Sequence, residues 1–144
     1  MTTTLGKGLS EKHAAGDRPD AAIEREIRRR TKDLHLPCAV AFKIASDLDA
    51  SPAAVGKTAD LTGYRLVKCQ LGLFGYEPEK KIVKAKPSQH PDLEAAVREA
   101  LIRDRLPCKA AWEIAARFGL SKMSISGIVE GMGIKIKPCQ LGAF

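Results

Sequence analysis

The chain has 144 residues, room for one ordinary domain or two small ones that lean on each other. Hydrophobic residues make up 44% but aromatics only 5%, so the core must come from Ala, Leu, Ile and Val, a mixture suited to packed helices rather than a sheet sandwich. No apolar run is long enough to span a bilayer as a helix, which sets a membrane partner aside, and the net charge of +7 points to an acidic partner, nucleic acid being the commonest. The expectation is a soluble, cytoplasmic chain with reduced thiols.

Residues 1–19 are small, polar and patternless, and read as a disordered tail. The first helix is expected over 21–34, with Ile23, Ile27 and Leu34 on one face, acids early and bases late, which suits the helix dipole. A second helix opens at Pro37, where a missing N–H costs little, and carries Ala41, Ile44, Ala45 and Leu48 at helical spacing. After a break at Asp49 and Ala50, Ser51 is placed to cap a third helix over 51–61. Gly63 then stops that helix, and residues 64–68 alternate apolar with basic in the period of a half-buried strand. The hexapeptide CQLGLF at 69–74 reads as a turn whose Leu71 and Phe74 fold back on the helical core. Residues 76–90 are charged and proline-containing, a basic linker.

The remainder repeats this plan. A shift of 70 residues lays Leu36, Pro37 and Cys38 on Leu106, Pro107 and Cys108, Ala41 on Ala111, and Ile44 and Ala45 on Ile114 and Ala115. It lays Ser51 on Ser121, Gly63 on Gly133, CQLG at 69–72 on CQLG at 139–142, and Phe74 on Phe144. These matches occur without a gap, so the chain is an internal duplication of residues 20–75 as 91–144. The second copy predicts helices over 91–105, from Pro107, and from Ser121 to Glu130, with a strand at 134–137 and a lid formed by Leu141 and Phe144. Two copies suit a pseudo-two-fold pair better than a solenoid, and the two strands are expected to pair antiparallel across that axis. The predicted fold is mainly α: two three-helix repeats, each ending in a short β-strand.

Ala115, Gly119 and Ile125 stand four and then six residues apart, within EIAARFGLSKMSIS at 113–126; Ala45, Asp49 and Val55 repeat the spacing. Ala lets two helices approach, Gly or Asp takes a left-handed turn, and a branched residue fills the angle between helices. This pattern resembles the helix-turn-helix DNA-binding superfamily. The resemblance covers about 20 residues of each copy.

The resemblance implies a transcriptional regulator that binds double-stranded DNA, as a pseudo-two-fold monomer or a homodimer. Ser51, Lys57, Ser121, Lys122, Ser124 and Ser126 would face the major groove, and Arg65, Lys68, Lys135 and Lys137 would lie near phosphates. These groove residues are small and lack the Arg, Asn and Gln that read bases in bidentate fashion. An alternative is a protein-interaction module on the same scaffold, for which exposed Met123 and Met132 would serve. A third is a thiol- or metal-responsive regulator, if Cys38 with Cys69 and Cys108 with Cys139 form thiol pairs at helix N-termini. The cysteines lack zinc-ribbon spacing, and packing as small apolar residues is their plainer role. No nucleophile triad, paired carboxylates or phosphate-binding glycine loop is present, so an enzyme is the least supported class and no cofactor is expected.

Overall fold

A computed structural model describes residues 13–88 and 90–143. The expectation for Phe144 lies outside the described residues, as does most of the N-terminal tail. The described chain is mainly helical, with a few short strands. In chain order it comprises α1 (Ala21–Arg30), β1 (His35–Pro37), α2 (Cys38–Leu48), α3 (Pro52–Leu61), β2 (Arg65–Val67), α4 (Pro91–Ala100), β3 (Arg105–Leu106), α5 (Cys108–Arg117), α6 (Lys122–Gly131) and β4 (Lys135–Ile136).

Local chemistry sets the ends of these elements. Asp20 caps α1 by accepting hydrogen bonds from the amides of Ala22 and Ile23 at 2.9 and 3.0 Å. Ser51 and Ser121 cap α3 and α6, each accepting from the amide three residues on, at 3.1 and 3.0 Å. Between α2 and α3, Asp49 takes the left-handed conformation (φ 52°, ψ 43°), and Gly119 does so between α5 and α6. Each second helix therefore leaves its predecessor through a short, sharply defined turn.

The first helices are shorter than the 21–34 and 91–105 expected. Asp33 and Leu34 both have positive φ, as do Arg103 and Asp104, and each pair forms the tip of a tight reversal that bridges Lys32 to His35 and Ile102 to Arg105. Helix cannot continue through two left-handed residues. The chain instead turns back into an extended stretch that ends at Pro37 or Pro107, as the preference of a residue preceding proline favours.

That stretch changes the strand pairing. The expected antiparallel pairing of residues 64–68 with 134–137 does not occur. β1 pairs with β2 in parallel, His35 opposite Arg65 and Leu36 opposite Leu66, and β3 pairs with β4 in parallel, Arg105 opposite Lys135 and Leu106 opposite Ile136. Parallel neighbours need a long crossover, and the two intervening helices supply it in each case.

The described residues fall into two compact units, 13–69 with 141–143, and 70–140. These bounds differ from the expected 20–75 and 91–144, because the segments after β2 and β4 are exchanged: Leu71 belongs to the second unit and Leu141 to the first. Both leucines are essentially buried, at 0% and 1% exposure. The first unit's core is Ile23, Ile27, Leu36, Ile44, Val55 and Leu141; the second's is Leu71, Leu93, Val97, Leu106, Ile125 and Val129. Each such side chain contributes about 1.5–3 kcal/mol through burial. Leu71 and Leu141 are core residues as expected, each in the unit that does not contain the strand before it, whereas Phe74, expected to fold back on the core, is half-buried.

Candidate nucleic-acid interface

The groove-facing set divides sharply once placed on the structure. Ser51 and Ser121 are exposed at the tips of α3 and α6, although their hydroxyls are engaged in capping. Lys57 pairs with Asp17 at 3.0 Å, and this ammonium holds the Asp17 carboxyl below the usual carboxylate range. Lys122 lies over the Trp112 ring, its Nζ 4.4 Å from the centroid. Ser124 accepts from the Lys86 ammonium at 3.1 Å.

Ser126 cannot face a groove. It is 1% exposed, and its Oγ has no hydrogen-bond partner among the described residues. The reason lies in how thoroughly α6 is enclosed: Ile125 through Val129 are all buried. Ile82 and Val83 amides donate to the Gly72 carbonyl, Val83 is buried, and the chain then runs across α6, where the Lys86 amide donates to the Gly127 carbonyl at 3.0 Å. Gly127 and Gly131 admit this strap, since a Cβ on Gly127 would lie 2.8 Å from the Lys84 carbonyl oxygen, and one on Gly131 2.5 Å from that of Lys86. Lys81 pairs with Glu130 at 2.9 Å on the same helix. Residues 82–86 of the stretch expected as a linker thus lie against the second unit through their backbone, while most of the described residues of 76–90 are exposed.

The third helix of the first unit is enclosed by other means. Gly56 lies against the Leu141 backbone so closely that no Cβ fits. Residues 13–19, expected as tail, reach the opposite end: His13 bonds Asp60 at 2.8 Å, and the Asp20 amide donates to Thr58 Oγ1 at 3.2 Å. Met123 and Met132, expected to be exposed, are half-buried, and Met123 packs its sulfur against Gly72. Among the described residues of these helices, Ser51 and Ala53 at the start of α3, Ser121 before α6 and Gly131 at its end are exposed, and Lys57 keeps 43% of its side chain open.

The phosphate-facing set fares differently. Arg65, Lys68, Lys135 and Lys137 are all exposed, and none is in an ion pair among the described residues. The parallel ladders add partners that the sequence reading missed. Residues in register share a sheet face, so His35 stands beside Arg65, and Arg105 beside Lys135. Lys32 and Arg103, at the reversals that lead into β1 and β3, are exposed as well. Exposed basic residues thus gather at each ladder, and the reversals before β1 and β3 each add an exposed acid, Asp33 or Asp104. The signal that could have revealed β1 and β3 was the leucine before each proline, biased toward extended backbone.

Cys38, Cys69 and Cys108 are buried and Cys139 half-buried, and none is in a disulfide. The Gln140 amide donates to Cys108 Sγ at 3.4 Å, while the Cys108 amide donates to the Pro138 carbonyl at 3.0 Å, which fastens the chain after β4 to the start of α5. Among the described residues, no group of three or more His, Cys, Asp or Glu side chains could hold a metal ion.

No helix is long and apolar enough to cross a membrane. No family model matches this chain, and neither a curated protein nor a solved structure matches it.

Proposed function

We propose that the protein binds double-stranded DNA as a regulator built on two helix-turn-helix units with a pseudo-two-fold relation, and that it grips the duplex through phosphates rather than by reading bases. The observation that carries this reading is Arg105 directly opposite Lys135, both exposed and without an acidic partner among the described residues. Like charges at facing ladder positions destabilise a sheet unless an anion neutralises them. Lys137 extends that face; on the first unit Arg65 stands beside His35 at the equivalent position, and Lys68 is exposed just beyond β2. The open first turns at Ser51 and Ser121 allow an approach to a groove edge, but the enclosed bodies of α3 and α6 leave little to discriminate sequence.

About five phosphate contacts predict that affinity for random duplex falls roughly 10²–10³-fold between about 50 and 200 mM salt. Fluorescence anisotropy at the two salts tests this. A second reading, docking to a protein through the same scaffold, is favoured by the enclosure of both candidate recognition helices. An absence of DNA binding at low salt would leave that reading standing.

A further inference from the structure

The two units treat the face between their first two helices in opposite ways. In the first unit Arg30 lies across α1 and α2, bonded to Glu26 at 2.8 Å and to Asp47 at 3.0 Å, with Arg29 on Glu26 and Lys43 on Asp47 at the rim. In the second unit Ala96 and Ala100 occupy the positions of Glu26 and Arg30, and an open cleft of about 250 Å³ remains between α4 and α5 over Ile114. Its rim is reversed in charge. Glu99 stands for Arg29, Glu113 for Lys43, and Arg117 for Asp47.

From this reversal we infer that the protein associates head to tail, the α1–α2 face of one copy docking on the α4–α5 face of the next. Arg29 and Lys43, though paired within their helices, are 64% and 69% exposed, and Glu99, Glu113 and Arg117 are exposed too, so all five reach solvent and can share or exchange partners with another chain. Both rim bases would meet rim acids whichever way they pair, and Arg117 would meet Asp47. The cleft has room for a guanidinium that the first unit supplies to itself through Arg30. Contacts of either face with its own kind bring like charges together, so the mismatch selects the unlike pairing. Because the two faces differ, association does not stop at two copies unless a ring closes.

Exposed pairs are individually weak and salt-screened, so the association is modest and sensitive to ionic strength. Sedimentation of the full chain without DNA, at about 0.1 M salt where long-range repulsion from the net charge is damped, should give a mass above 15.6 kDa that rises with concentration, returning to 15.6 kDa near 1 M salt. Glu99→Lys with Glu113→Lys should lower the association constant about tenfold or more. Arg29→Glu with Lys43→Glu should do the same. Mixing the two variants should restore association, and unchanged helical circular dichroism would show both folded. A monomer at every concentration at 0.1 M salt, association indifferent to the first variant, or a mixture that stays monomeric would each overturn the inference.

Discussion

The Lys86 amide donates to the Gly127 carbonyl at 3.0 Å, which fastens an extended strap to the helix most expected to read DNA. Glycine costs a helix interior about 1 kcal/mol relative to alanine. Gly127 and Gly131, four residues apart, accept that cost so that backbone can pass against backbone.

Gly131→Ala should therefore destabilise the protein although the same change would stabilise an isolated helix. Its Cβ would meet the Lys86 carbonyl, and the strap must shift, at an expected loss of about 1–3 kcal/mol. Gly56→Ala should cost at least as much, because its obstruction is the Leu141 backbone. Urea denaturation of each variant measures this, and a gain in stability would contradict the close approach.

Ser126→Ala should be neutral or stabilising by up to about 1 kcal/mol, since the buried hydroxyl has no hydrogen-bond partner to lose. Its DNA affinity should match that of the unaltered chain. A loss of binding with intact stability would place Ser126 on the DNA after all.

The ion-pair cluster on α1 and α2 predicts acid sensitivity. Hydrogen bonds from Arg29 and Arg30 hold the Glu26 carboxyl below its ordinary value, and those from Lys43 and Arg30 do the same for Asp47. Both carboxyls take up protons less readily folded than unfolded. Their stabilisation is complete above the ordinary carboxylate range and is lost as pH falls through it. Arg30→Ala should make the urea midpoint less dependent on pH between about 6 and 3, where carboxylates titrate. An unchanged dependence would show that Arg30 contributes nothing to it, Arg29 and Lys43 holding the two carboxylates by themselves.

Much of the local architecture was legible because it rests on neighbouring residues. The caps at Ser51 and Ser121, the left-handed turns at Asp49 and Gly119, and the apolar spacing of Ile23 with Ile27 follow from short-range rules. β1 and β3 escaped because two or three residues show no period, and their parallel partners lie 30 residues away. The strap escaped because its lysines read as solvated linker, while its anchor is the backbone. Gly127 and Gly131 were the visible trace of it. The same gap hid Arg105 as a companion to Lys135, so the basic face was seen in half.

Anisotropy of labelled random duplex DNA, comparing the unaltered chain with Arg105→Glu combined with Lys135→Glu at about 50 and 200 mM salt, tests the central claim most directly. The account predicts salt-sensitive binding by the unaltered chain, and in the variant weaker binding with a salt slope smaller by about two. Equal binding by the two proteins, or none by the unaltered chain at low salt, would contradict it.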